Sequence, residues 1–205
     1  MSRLALVAER QRYHHGDLRR AVLDGAIAVI AEHGPGALSL RDIARKAGVS
    51  HAAPAHHFGD KAGVLTAIAI EGFEGLAAAT GEAMKTRDIV EGGVAYIRYA
   101  VDHPAHYEVM FRPDLLRNDD PGLNAARASG AAVLLGAVRG TLPSDASDEQ
   151  IFDGVMAAWA FGHGFASLWS RGNVPVAPDT DAEAVARRAA AAFVQMVMAG
   201  ASTPR

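Results

Sequence analysis

Apolar residues recur along this chain at intervals of three and four over most of its length, and no segment sustains the alternation of a β-strand. Leu18, Val22, Ala26, Val29 and Ile30 predict a first helix that stops at Gly34-Pro35-Gly36. Residues 1–11 carry no clear cap. They predict either a disordered terminus or a frayed arm whose Arg3, Arg10 and Arg12 follow a phosphate backbone. Ser39 is placed to cap a second helix, in which Leu40, Ile43, Ala44 and Ala47 share one face and Arg41, Arg45 and Lys46 take the others. Gly48 follows as the left-handed stop, Val49 turns inward, and Ser50 is expected to cap a third helix over His51 to Phe58. Asp60 then opens a long helix reaching about Met84, with Val64, Leu65, Ile68, Phe73 and Leu76 apolar. Gly72, Gly75 and Gly81 within it allow either bending or close helix packing.

Asp88 predicts a helix to His103, with Val94, Ile97 and Val101 on one side, and Pro104 starts a short one ending at Phe111. A polar, proline-bearing loop spans 112–121, and an alanine- and leucine-rich helix follows over about 123–138. Asp148 or Ser147 caps a helix to Ser170 that is apolar nearly all round; Thr180 or Asp181 opens the last one, to Ala199, with Val185, Ala189, Phe193, Met196 and Val197 in register. The expected fold class is all-α with about nine helices, divided into a three-helix head at 1–65 and a helical body at 66–205.

Composition changes this picture in two places. The chain of 205 residues carries a net charge of −3, yet residues 1–65 hold nine Lys and Arg against six Asp and Glu, and the remainder eleven against seventeen. A positive head on a negative body is the asymmetry expected when one segment meets phosphate. With no cysteine, no disulfide contributes; with no signal-length apolar run and no stretch approaching a membrane span, the expected compartment is the cytoplasm.

Nine histidines, six of them within the first 65 residues, invite a metal, but the spacing argues against one. His14-His15 and His56-His57 are adjacent pairs pointing to different sides, and none forms the i, i+4 pair of a helical metal site. No nucleophile elbow, phosphate-binding glycine loop or paired carboxylates appear, so neither a catalytic site nor a cofactor is expected.

Helix, glycine turn and capped helix is the unit that presents its second helix to a major groove. The run A-x-x-A-G-V-S at 44–50, followed by H-H-F-x-D-K at 56–61 and an apolar helix, closely resembles the N-terminal domain of the TetR/AcrR family of transcriptional regulators. Further on, Trp159 to Leu168 resembles the tryptophan, histidine-glycine motif of one C-terminal class in that family, and HPAHYEVMF at 103–111 fits the same class. One departure stands out: where the family usually has a tyrosine touching the DNA backbone, this chain has Ala55, so that contact is absent or passes to His56 or His51.

Together these observations imply a regulator, most simply a repressor, that binds a palindromic operator as a homodimer and is released by a small molecule. The residues expected at DNA are Ser39, Arg41, Ser50, His51, Ala52, His56, His57 and Lys61, with Ser39 and Lys61 on phosphate. The dimer is expected from the last two helices, because a helix apolar all round is not satisfied at a surface; the alternative is that Trp159, Phe161 and Phe165 fill the chain's own core. An effector pocket is expected from Phe73, Tyr96, Tyr99, His103, Tyr107, Met110, Phe111, Trp159 and His163. Their rings with a few polar tips suit a mostly apolar ligand carrying one or two hydrogen-bonding groups, although the same rings would serve as plain core. The competing reading is a helical small-molecule-binding protein or enzyme with an incidental helix-turn-helix-like hairpin.

Overall fold

The computed structural model describes residues 3–177 and 179–201, with side chains over 18–177 and 179–197. Among the described residues the chain is helical and without strands, as its periodicity predicts: α1 (Arg3–His33), α2 (Leu40–Ala47), α3 (Ala53–Phe58), α4 (Lys61–Ala83), α5 (Ile89–Asp102), α6 (Pro104–Met110), α7 (Pro121–Thr141), α8 (Asp148–Ser170) and α9 (Ala182–Ala201). Helix α1 begins at Arg3, where an arm was expected, because no proline or glycine interrupts residues 3–15. The side chains of Arg3, Arg10 and Arg12, and the contacts expected of them, lie outside the described residues.

The helices gather into two compact units, Met1–Gly72 with Ala105–Asn124 and Phe73–Pro104 with Ala125–Arg205. In the first, α1, α2 and α3 pack on one another. Val22, Leu23, Ala26 and Ile30 of α1, Ile43 and Ala44 of α2, Phe58 of α3 and Val64, Leu65 and Ile68 of α4 are all buried. Large apolar side chains such as these each contribute roughly 1.5–3 kcal/mol on full burial. Gly25 makes the α1–α2 approach possible, since a Cβ there would lie 2.9 Å from Ala47 Cβ. Gly72 likewise admits the buried Met110, whose sulfur would sit 2.6 Å from a Cβ at that position. An ion-pair chain adds to this unit: Arg20 donates to Asp24 at 2.6 Å and to Glu71 at 2.9 Å.

In the second unit α5 packs against both α8 and α9. Asp88 caps α5 by accepting from Val90 N–H at 2.9 Å, and Ser147 with Gln150 closes a reciprocal capping box on α8. The buried positions of α8 are the small ones, Gly162 and Ala166, and a Cβ on Gly162 would meet the Tyr96 ring at 3.4 Å. Phe161 stacks on Phe193 of α9 with centroids 4.8 Å apart. Other large apolar residues of the same two helices face outward: Phe152 is 62% exposed, Trp159 43% and Met196 67%, with Met156, Leu168 and Val197 also exposed.

Helix α4 is long and apolar enough by composition to cross a membrane, which the sequence was not expected to contain, but half of that window is buried inside the protein. Buried residues such as Val64, Leu65, Ile68 and Leu76 raise its mean hydropathy as readily as lipid-facing residues would.

Candidate nucleic-acid interface

Helix α2 is fixed at both ends by its own sequence. Ser39 Oγ accepts from Asp42 N–H at 3.2 Å and donates to the Asp42 carboxylate at 2.5 Å. That donated bond, the larger influence, and the neighbouring Arg45 hold the Asp42 carboxyl below its ordinary range. At the other end Gly48 adopts φ 66°, ψ 29°, the left-handed conformation the turn was expected to require.

Helix α3 is shorter than the sequence implies and starts two residues later. Ser50 does not cap it; its carbonyl accepts from Ala53 N–H at 3.0 Å, and Ala52 stands at the cap without a side-chain bond. Pro54 therefore falls in the first turn, where its missing N–H costs no helical hydrogen bond. Gly59, at φ 79°, turns the chain into α4, and Asp60 accepts from Gly63 N–H at 2.9 Å. This bond, more than the nearby Arg117 guanidinium, keeps the Asp60 carboxyl below its usual range. Gly63 is obligatory, because a Cβ there would lie 1.9 Å from the Phe58 carbonyl oxygen.

Arg41, Ser50, His51, Ala52 and His56 are exposed, with Arg45 and Lys46 beside them. Arg41 and His51 line one cleft of about 350 Å³. His57 is half-buried, its Nε2 removed from solvent and its ring 6.3 Å from that of Phe58, so it sits on the inner side of α3. Lys61 is half-buried and its ammonium donates to the Gly36 carbonyl at 2.7 Å. Arg19 of α1, not singled out by the sequence, lies 5.1 Å over the Phe58 ring. Its partner ring is far along the chain, so no local pattern in the sequence marks the contact.

The residues expected around an effector fall in both units. In the second, Tyr96 Oη lies 3.2 Å from His163 Nδ1, the Trp159 ring 6.4 Å from that of His163, and Tyr99 4.4 Å from His103. Burial holds the His163 imidazole below its ordinary pKa. Tyr99 leans on Gly75, where a Cβ would lie 2.4 Å from its hydroxyl, and the Arg127 guanidinium stands 5.8 Å from the Phe73 ring. Tyr107, Met110 and Phe111 belong to the first unit, with the rings of Tyr107 and Phe111 5.2 Å apart. No cluster of three or more metal-ligating side chains occurs among the described residues.

Two family models match the chain. Bacterial regulatory proteins of the tetR family match over residues 22–68, and the tetracyclin repressor-like C-terminal domain over residues 89–193. No curated protein matches. Among solved structures, a protein of unknown function from Rhodococcus sp. RHA1 is 30% identical and covers 91% of this chain and 98% of its own, at a TM-score of 0.73. A bacterial regulatory protein in the tetR family from Rhodococcus RHA1 is 25% identical over 88% of this chain and 96% of its own, at 0.66. The regulator PfmR from Thermus thermophilus, 24% identical over 85% and 97%, shares the fold at 0.64.

Proposed function

The chain belongs to the TetR family and is a DNA-binding transcriptional regulator, and from that premise we propose that it is a repressor that leaves a palindromic operator when a small molecule binds. The observation that carries this reading is the α2–α3 unit, joined through left-handed Gly48, with Arg41 and His51 lining one cleft and His56 exposed on α3. His51, Ala52 and His56 read base edges, while Arg41, Ser50 and Lys61 take phosphates; Ser39, whose one hydroxyl proton is donated to Asp42, takes a phosphate by releasing that bond. The bond from Lys61 to Gly36 orients an ammonium that has two further donors. His57 supports the turn from within.

Residues 1–65 serve as the reading domain and 66–205 as the domain that binds effector and partner. The partner is a second copy of this chain, met by α8 and α9; the support is the outward face carrying Phe152, Met156, Trp159 and Met196. The effector is mostly apolar with one or two hydrogen-bonding groups, and Phe73, Tyr96, Tyr99, His103, Trp159 and His163, which share the second unit, contact it. Its binding favours a spacing of the two heads that no longer matches successive major grooves. The protein works in the cytoplasm and catalyses nothing. Selection of duplexes from a random pool tests this directly: an inverted repeat with half-sites about one helical turn apart is expected, whereas no enrichment, or a lone unrepeated site, contradicts it.

A further inference from the structure

The side chain of Arg117, in the segment between α6 and α7, reaches the turn that ends the reading helix. Its guanidinium donates to the Phe58 carbonyl at 3.3 Å and to Asp60 Oδ1 at 2.8 Å. Phe58 is the last residue of α3 and Asp60 precedes the first of α4, so one planar group joins the end of one helix to the start of the next. Both bonds leave one nitrogen, Nη2, whose two N–H groups are held in the guanidinium plane in fixed directions, and the charge complements the carbonyl end of a helix.

The backbone beneath it is fixed independently. Arg117 N–H donates at 3.0 Å to the hydroxyl of Thr66, which is only 2% exposed. Downstream, Asp120 accepts from Leu123 N–H at 3.0 Å and holds the start of α7. The receiving turn has no room for anything else: a Cβ on Gly59 would lie 3.0 Å from Arg117 Nη2, and one on Gly63 3.1 Å from Arg117 Cζ.

We propose that Arg117 is a positioning residue for DNA reading, setting the angle at which α3 enters the groove without touching DNA itself. This rests on the reading of α3 as the helix that meets base edges. Arg117 is partly exposed, and as an isolated surface ion pair it would do little; its effect comes from holding a carbonyl and a carboxylate on one short turn.

The test uses the full-length chain, the duplex that the wild type selects from a random pool, and an unrelated duplex of equal length. Arg117→Ala is expected to weaken the selected duplex about tenfold and the unrelated one less than twofold, with the salt slope on the selected duplex unchanged. In Asp60→Asn the cap is kept and the charge lost, and the double variant is expected to bind no more weakly than Arg117→Ala alone. Should Arg117→Ala lower the folded fraction at the assay temperature, Arg117→Lys, which keeps the charge but not the fork, is held to the same criteria. An unchanged affinity, an equal loss on both duplexes with a flatter salt slope, or additive losses in the double variant would each overturn the proposal. A wild type that binds no duplex would instead sink the reading on which it rests.

Discussion

In the first unit Val22, Leu23 and Ile30 of α1, Ile43 of α2 and Phe58 of α3 point inward, and Arg41, Arg45, Ser50, His51 and His56 reach solvent. In the second, α8 does the reverse: Gly162 and Ala166 are inside, while Phe152, Met156 and Trp159 are outside. Both arrangements leave a surface incomplete in water, but with opposite chemistry. Cationic and imidazole groups around a cleft suit a polyanion, for which solvation is easily exchanged. Contiguous exposed rings and thioethers suit a second apolar face, because water gains when they are covered. One chain thus carries two unfinished surfaces, and the proposed function assigns DNA to one and a second copy to the other.

The largest expected effect separates the two units by their glycines. Gly63→Ala forces a side chain onto the Phe58 carbonyl, and a loss of about 3 kcal/mol or more is expected, as for severe overpacking. Gly130→Ala in α7 meets nothing within 4 Å, and helix propensity and unfolded-chain entropy should stabilise it by about 0.5–1 kcal/mol. Urea unfolding followed by circular dichroism checks both, and a Gly63→Ala chain with the wild-type midpoint would mean that the α3–α4 turn is looser than described.

The next effect concerns the apolar surface. Met196→Glu places a charge on a side chain that is 67% exposed, so the isolated chain should keep its helicity while dimer affinity falls by about 100-fold, or roughly 3 kcal/mol. Phe193 would be a poorer choice, since it stacks on Phe161 within the same chain. Sedimentation at micromolar concentration measures the change; a wild type that sediments as a monomer removes the dimer altogether.

How legible these surfaces were in the sequence differs between them, for a physical reason. Ser39, Gly48, Asp88 and Ser147 declare themselves because a cap or a left-handed turn is decided by residues three or four apart. The start of α3 was misplaced because Ser50 looked like a cap, although Pro54, with its preference for a first turn, was the better marker. Arg117 had no such marker: its partner Asp60 is 57 residues away, and only tertiary packing brings them together. The apolar excess of α8 was legible, but not which of its faces turns outward, since a helix without a polar stripe has no phase to read. The effector residues had the same weakness. Their spacing placed Tyr96 and Tyr99 on one helix, but not the approach of His163 to Tyr96 or the division that puts Tyr107, Met110 and Phe111 in the other compact unit.

A smaller effect sharpens the cationic side of the comparison. Arg41→Ala should weaken duplex binding about tenfold and reduce the salt slope by about one unit, as loss of one phosphate contact requires. His51→Ala should instead change which duplex is preferred. Fluorescence anisotropy at several salt concentrations distinguishes them, and identical behaviour of the two variants would remove the division between phosphate and base contacts.

The smallest expected effect lies in the body. Because burial depresses the His163 pKa below 6.5, the unfolded chain binds a proton that the folded one resists between the two values. Stability is therefore fully present above about pH 6.5 and is lost as pH falls through the depressed value. His163→Gln removes this titration, so its unfolding midpoint should fall less steeply than that of the wild type between about pH 7 and pH 5. Parallel curves would show that His163 takes up its proton as readily in the fold as in the unfolded chain.

The most direct measurement for the whole assignment is the stoichiometry and salt dependence of binding to the selected duplex, taken for wild type and Met196→Glu by sedimentation and anisotropy. Two wild-type chains per duplex are expected, with affinity falling steeply as salt rises, while Met196→Glu should bind far more weakly without losing its helicity. Salt-independent binding, or one chain occupying a full inverted repeat as tightly as the wild type, would contradict the assignment of one surface to DNA and the other to a second copy.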